Sequence, residues 1–324
     1  VVMVLVGRAA SSIKRAVGTI QRKWCKIHKI DGFTRSVRGR KAGLAAATAV
    51  LIGGGCIFWT KTASAEGESK LRILFIRHGE SENNVLYGIS VDEFWKNRKP
   101  DPKLSARGEK QVQAAANALA KNPPVITPLD KIYVSPMTRA LSTAKPIAES
   151  LRMNPSVWTD MYEVGGCFGG EKGSFYGVGG LSRDEMQRLY PGYILPPEIT
   201  RHGWYPKKLR METGSHAALR AAAISTRLRD MAMKLEDDDS KTIALVAHHD
   251  TIDLILRDLM GLNIPVEVAP PGTVFKHYNA AFTCVDLINS CNGDDSSLTP
   301  RLLFQNRADH MPFKLVEWSK LGIV

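Results

Sequence analysis

A three-layer α/β/α fold with a mostly parallel central sheet is what most of this 324-residue sequence predicts, and three observations predict it. Strand-like and helix-like hydrophobic patterns alternate from residue 71 onward, the pattern of repeated β-α units. Of the strand-like runs, that at 242–247 is almost continuously apolar, as expected of a strand covered on both faces. Several of them stop abruptly at Arg, Ser or His, and in this fold class sites lie outside the carboxyl ends of the strands. A basic leader and one candidate transmembrane helix stand before this domain.

The leader is set apart by charge. Residues 1–65 hold 12 Lys or Arg and a single acid, Asp31, whereas the rest of the chain holds 32 basic and 31 acidic side chains, so the net charge of +12 sits almost wholly in the leader. A basic groove on the folded body, and with it nucleic-acid binding, is not expected. Residues 1–41 read as a targeting segment, with Ile13, Val17, Ile20 and Trp24 at helical spacing among Lys and Arg. Residues 42–60 read as a transmembrane helix: the uncharged stretch 42–59 would reach ~27 Å as a helix, against a hydrocarbon core of ~30 Å. Residues 61–70 then form a linker, in which Ala63, Ser64 and Ala65 look like a cleavage site. The expectation is a membrane-anchored protein, mitochondrial ahead of the secretory pathway or plasma membrane, with its folded domain at 71–324. The five cysteines are scattered and form no CxxC pair, which excludes a disulfide framework and a zinc ribbon.

Within the domain the elements follow in order. Residues 71–76 are a β-rich run that ends at Arg77, His78 and Gly79. Helical stripes come at Val112, Ala115, Ala116 and Leu119 and again at Ala140, Ala144, Ile147 and Leu151, with strands at 131–134 and 156–159. Ser182 and Glu185 have the spacing of a capping box, and Ile224, Leu228, Met231 and Leu235 mark a long helix. Residues 242–247 form a buried strand, and the next helix carries Ile252, Ile255, Leu256 and Leu259 and ends at Gly261. Strands near 280–287 and 301–304 complete the sheet, while 236–239 and 292–297 read as solvated loops.

The chemistry stands at the strand ends. The first strand delivers Arg77 and His78, the 131–134 strand delivers Ser135 and then Arg139, and the 242–247 strand delivers His248 and His249. A guanidinium group is a planar donor fork matched to phosphate oxygens, and imidazole is a nucleophile that titrates near neutrality. Two arginines converging with two or three histidines point to phosphoryl transfer.

The run from Leu74 to Asn84 (Leu, Phe, Ile, Arg77, His78, Gly79, Glu80, Ser81, Glu82, Asn83, Asn84) resembles the signature of the histidine phosphatase superfamily, in its phosphoglycerate-mutase-like branch. Leu104 to Gln111 resembles that family's next helix start. Ser135, Pro136, Arg139 and Thr143 are similar to its second arginine motif, Val246, Ala247 and His248 to its second histidine motif, and Asn306 to His310 to its ending. What the resemblance implies is a two-step mechanism in which His78 attacks phosphorus and the phosphohistidine is then hydrolysed. Arg77, Arg139 and His248 would hold the transferring oxygens, Glu163 would protonate the leaving oxygen and later activate water, and Asn84 would line the substrate site. No metal and no cofactor is implied. The expected activity is that of a phosphomonoester phosphatase acting on a small phosphorylated substrate or a phosphoprotein, tethered to a membrane through residues 42–60. The alternatives are a phosphomutase, which keeps its phosphoryl group for return transfer, and a catalytically weak adaptor with the same fold.

Two departures bear on these roles. The family commonly has Gly after its second histidine, where this chain has His249 and Asp250. Asp250 reads as the N-cap of the following helix, with a proton-donor role as the alternative. Glu171 stands close behind Glu163 in the same Gly-rich segment. The long loop 165–211 would cover the site, and its Trp204, Tyr205, Lys207, Lys208 and Arg210 read as a solvated rim.

Overall fold

A computed structural model describes residues 68–121, 128–171, 173–262, 273–292 and 295–316. The leader, the expected span at 42–60 and most of the linker lie outside the described residues. No helix among those described is long and apolar enough to cross a membrane.

Strand β1 (Glu68–Arg77) places Leu74 and Ile76 on one face and Ile73 and Phe75 on the other, all four with no measurable exposure, because a strand sends successive side chains to opposite sides. It starts at Glu68, so the last residues of the expected linker already belong to the sheet. Strand β6 (Ser240–Ala247) runs parallel to β1, β2 (Lys131–Val134) parallel to β6, and the two-residue β3 (Ser156–Val157) parallel to β2. On the other side of β1, β7 (Phe282–Asn292) and then β8 (Asp295–Arg307) add antiparallel, giving the order β3-β2-β6-β1-β7-β8. Pro300 is tolerated in β8 because that strand is the sheet's edge.

Helices cover both faces, as the alternation predicts. Helices Ala106–Lys121 and Thr138–Leu151 pack with Leu74, Ile76, Ile132, Val134 and Val246. Helices Gly214–Met233 and His249–Leu259 pack with Ile73, Phe75, Ile243, Leu245 and Val285 on the opposite face. Between the two layers the apolar side chains of the sheet are buried, and each fully buried aliphatic side chain contributes about 1.5–3 kcal/mol of transfer free energy.

Three features differ from the sequence expectation. Helices Glu82–Ile89 and Val91–Asn97 fill a region without an apolar stripe, and neither buries a residue fully. They are held by their caps: Ser81 and Asn84 form a reciprocal capping box, and Ser90 accepts from the Glu93 amide. Around 292–297, expected to be a loop, β7 runs to Asn292 and β8 begins at Asp295, since a strand pair at the sheet edge needs no apolar side chains to satisfy its backbone. Finally, the helix after β6 is capped by His248, with Asp250 inside its first turn instead of at the N-cap.

The register sets the level of the strand ends. Arg77 lies opposite Ala247, and Val134 opposite Val246. The ladder continues one residue further, with the His78 amide donating to the Ala247 carbonyl at 2.9 Å and the Ser135 amide to the Val246 carbonyl at 3.0 Å. His78, Ser135 and His248 therefore leave the sheet side by side. β6 lies between β1 and β2 although it follows both in sequence, so the chain departs to both sides here and opens the crevice typical of a doubly wound sheet.

Candidate active site

His78 is buried at 2 % exposure. Its Nδ1 lies 2.6 Å from the Gly79 carbonyl, which can only accept, so Nδ1 carries the proton and Nε2 keeps its lone pair. Arg139 Nε donates to that Nε2 at 3.1 Å. Burial holds the imidazole's pKa well below its ordinary value, and the charges of Arg139 and Arg77 push the same way, so the ring is neutral at neutral pH.

His248 stands opposite, its ring centroid 5.1 Å from that of His78, with no exposed surface. The Ser135 hydroxyl lies 2.6 Å from His248 Nε2 and itself accepts from the Met137 amide at 3.3 Å. A hydroxyl with its proton and two lone pairs meets Nε2 in either ring tautomer, and His248 Nδ1 is a buried atom with no partner among the described residues. Burial, then Arg139 and His78, keep this ring neutral as well.

Arg77 donates through Nη1 to the His277 carbonyl at 2.5 Å, while its buried Nε has no acceptor. Burial lowers its pKa to about 10 against the pull of Glu163 and Asp250, so the guanidinium stays charged at neutral pH. Arg139 is 7 % exposed and likewise lowered by burial, with Glu163 and Asp101 opposing. The Thr143 hydroxyl joins the two motifs: it accepts from the Gly79 amide at 3.0 Å and donates to the Arg139 carbonyl at 2.7 Å. Asp101 caps the Arg139 helix from a distant loop, taking the Thr138 amide at 2.9 Å and hydroxyl at 2.7 Å.

Glu163 is half-buried beside this group. Its Oε1 accepts from the amides of Val164 at 2.9 Å and Thr251 at 3.2 Å, which seats it at the N-terminal end of the His249–Leu259 helix. Its carboxyl is nevertheless pushed up, first by burial and then by the charge of Asp250. Glu171, by contrast, is exposed in the turn between the short strands β4 (Phe168–Gly169) and β5 (Tyr176–Gly177). Asn84 does two things: it closes the cap of its own helix and its Oδ1 accepts from Asn279 Nδ2 at 3.4 Å, while Asn279 also donates to the His78 carbonyl at 3.0 Å.

Arg77, His78, Arg139 and His248 thus surround one buried point, with Glu163 at its side and Asn84 joined to it through Asn279. His249 is bonded through Nδ1 to Asp250 at 2.8 Å and lies edge-on to His277 at 6.3 Å, within electrostatic reach of His78 and Glu163. The Asn306 to His310 segment underpins the site without entering it: Asn306 holds the Tyr278 amide at 2.6 Å and His310 stacks on Phe282 at 4.2 Å. Trp204 and Tyr205 are not rim residues. They are buried with Tyr162, on whose ring Arg220 lies at 3.8 Å, and only Lys207, Lys208 and Arg210 of that cluster are exposed. Among the described residues no group of three or more His, Cys, Asp or Glu is placed to hold a metal ion.

Asp101, Asn279 and His277 did not stand out in the sequence. Each acts through a contact more than 30 residues away, and only Asp101, just ahead of the Leu104 to Gln111 motif, had a nearby signal.

The sequence profile of the "Histidine phosphatase superfamily (branch 1)" matches residues 73–289. A PE-PGRS family protein, PE_PGRS11 of Mycobacterium tuberculosis (strain ATCC 25618 / H37Rv), is 36 % identical over 90 residues, 28 % of this chain, and the match spans only 14 % of that protein's length. Among solved structures, a mycobacterial glucosyl-3-phosphoglycerate phosphatase is similar with a TM-score of 0.44 and 23 % identity, over 74 % of this chain and 99 % of that one. The alpha-ribazole phosphatase of Shigella flexneri matches at 0.43 and 19 %, over 73 % and 96 %. The ecdysone phosphate phosphatase of Bombix mori, in complex with tungstate, matches at 0.44 and 15 %, over 70 % and 91 %.

Proposed function

We propose, from the premise that the chain belongs to branch 1 of the histidine phosphatase superfamily and is a phosphoric monoester hydrolase, that it works through a phosphohistidine on His78. The observation that carries this reading is the 3.1 Å contact of Arg139 Nε with His78 Nε2, with the neutral ring fixed from behind by the Gly79 carbonyl. A lone pair already addressed by a guanidinium is one that a bound phosphate would meet in line, with the guanidinium free to turn its donors to the phosphate oxygens.

In the first step His78 Nε2 attacks phosphorus, the N–P bond forms and the P–O ester bond breaks. Arg77, Arg139 and the Nδ1–H of His248 hold the three equatorial oxygens, whose spread charge is what catalysis of this kind must stabilise. The leaving oxygen takes its proton from Glu163, whose raised pKa keeps the acid form available. In the second step Glu163 accepts a proton from water as the water oxygen bonds to phosphorus and the N–P bond breaks, returning His78 neutral and Glu163 protonated. Removing one charge-stabilising donor commonly costs ~10²–10³ in rate.

The test is a phosphomonoester panel run on wild type, His78→Ala, Arg139→Gln and Glu163→Gln. Expected is loss of turnover in the first, and in Glu163→Gln a loss that is smaller for esters with acidic leaving alcohols, which need no proton. Full turnover by His78→Ala, or dependence on a bisphosphate primer, would overturn the reading. We further propose that residues 42–60 tether this domain to a membrane, the mitochondrial one first, supported by the charge asymmetry and by the uncharged stretch. Release of the full chain from membranes by alkaline carbonate would contradict the tether.

A further inference from the structure

Arg98 differs from the other inward-lying guanidinium groups of the domain. Arg72 is paired with Asp286, Arg220 with Glu212, Arg229 with Asp258 and Arg257 with Asp253. Arg98, half-buried at the end of the Val91–Asn97 helix, pairs with no carboxylate among the described residues. Its guanidinium lies flat on Phe168, 3.7 Å from the ring centroid, and Nη1 donates to the Phe168 carbonyl at 3.0 Å. The Nε is buried and has no acceptor among the described residues.

Its place in the fold puts it beside the site. The loop that follows it runs through Pro100, whose carbonyl touches Cys167 Sγ at 3.8 Å, to Asp101, which is bonded to Thr138, the residue before Arg139. Burial lowers the Arg98 pKa, Cys167 opposes, and the like charge of Arg139 pushes the same way as burial, so the two cations lie within electrostatic reach of each other. Arg77 and Arg139 have Glu163 within electrostatic reach, whereas among the described residues it is Cys167 and no carboxylate that acts so on Arg98. Around it stand Phe94 and Trp95, with ring centroids 5.8 and 5.9 Å from its guanidinium, and Phe175 stacked on Trp95 at 5.8 Å. Trp95 is itself exposed, so these rings shield part of the guanidinium, and partial shielding strengthens an ionic contact made there.

We propose that Arg98 binds a second anionic group, a carboxylate or a phosphate, carried by the leaving part of the substrate, so that the preferred phosphomonoesters bear two anions. Arg98 is a specificity residue and takes no part in the bond-breaking itself. This rests on the phosphatase reading above and adds the substrate class. A guanidinium held flat by an aromatic ring loses little further freedom on binding, which suits it to planar recognition of carboxylate or phosphate.

Glycerol 3-phosphate and 3-phosphoglycerate share a three-carbon skeleton and differ in carrying a hydroxymethyl or a carboxylate at one end, and glycerol 1,3-bisphosphate carries a phosphate ester at that end. The measured quantity is the ratio of kcat/KM for each ester with a second anionic group to that for glycerol 3-phosphate, in wild type, Arg98→Gln and Arg98→Lys. Wild type should favour one of these two esters by about ten- to a hundred-fold, the scale of a charge-assisted hydrogen bond. Arg98→Gln should bring the ratio close to unity, chiefly through KM, and Arg98→Lys should keep part of it; which ester wins names the anion. A wild-type ratio near unity, or a proportional loss on all three esters in Arg98→Gln, would overturn the proposal and leave Arg98 a clamp between its helix and Phe168. If none of these esters and none of the wider phosphomonoester panel is hydrolysed, the phosphatase reading falls instead. Calorimetric binding of the same three esters then decides for Arg98: a preference lost in Arg98→Gln supports it, and equal binding overturns it.

Discussion

Thr143→Val keeps the side chain's volume and removes its hydroxyl, the group that ties the His78 loop to the Arg139 helix. In the structure that hydroxyl, with no exposed surface, satisfies the Gly79 amide at 3.0 Å and donates to the Arg139 carbonyl at 2.7 Å. After substitution the Gly79 N–H is left buried without an acceptor, at a cost of about 1–3 kcal/mol, whereas the Arg139 carbonyl retains its helical bond. For a domain of this size, about 2 kcal/mol lowers Tm by roughly 4–8 °C. The catalytic effect should exceed what a stability loss alone implies. Gly79 supplies the carbonyl that fixes the His78 tautomer and Arg139 addresses Nε2, so a displacement of ~1 Å between the two arms can cost on the order of 10² in rate. Thermal unfolding and steady-state kinetics on Thr143→Val and Thr143→Ser separate the contributions: kcat should fall in Val and largely return in Ser. A Val variant with wild-type kcat would refute the idea that Thr143 sets the spacing of nucleophile and guanidinium.

Other consequences follow from single features. A Cβ on Gly108 would sit 2.0 Å from the Glu80 carbonyl oxygen, backbone that cannot yield, so Gly108→Ala should lose about 3 kcal/mol or more in denaturant unfolding; an unchanged midpoint would contradict the close approach. Because Glu163 must be protonated to deliver its proton and its pKa is raised, kcat/KM should fall as pH rises through that pKa. Since Asp250 contributes to the rise, Asp250→Asn should move the alkaline limb of the profile to lower pH, and a limb that stays or moves upward would count against Glu163 as the acid. His277, with no exposed surface, has its pKa lowered to about 3, so the unfolded chain binds the extra proton first and stability is lost as pH falls below about 6.5. By linkage that one histidine removes about 1.4 kcal/mol between pH 7.5 and 5.5, and His78 and His248 act in the same direction. A Tm that does not fall over this interval would show that these imidazoles are not buried as neutral groups.

How much could be read from the sequence follows from what each element needs. β1 and β6 are buried on both faces toward their carboxyl ends, so their apolar runs are continuous there, and the ends of β1, β2 and β6 at Arg77, Val134 and Ala247 show as an abrupt change to polar residues. The helices at 138–151 and 249–259 show their stripes for the same reason. The helices at 82–89 and 91–97 bury nothing fully and are specified by Ser81, Asn84 and Ser90 through backbone caps, a signal that hydrophobic spacing does not carry. The edge strand β8 is satisfied by backbone pairing with β7, so its polar start at Asp295 reads as a loop. At the candidate site the residues with their own motifs, Arg77, His78, Arg139 and His248, could be named from spacing at strand ends. Thr143 lies within a motif, but its bridging bonds are tertiary. Asp101, Asn279 and the unpaired Arg98 acquire meaning only when distant loops meet, and Trp204 and Tyr205 look like rim residues until Tyr162 and Arg220 are placed against them.

The most direct test of the chemistry assigned to His78 is to quench the enzyme during turnover of a good phosphomonoester under alkaline conditions, which preserve phosphoimidazole, and to locate the bound phosphoryl group by peptide mass spectrometry. Phosphate on His78 Nε2 is expected, transient in wild type, longer-lived in Glu163→Gln and missing from His78→Ala. Phosphate on any other side chain, or undiminished hydrolysis by His78→Ala, would contradict it.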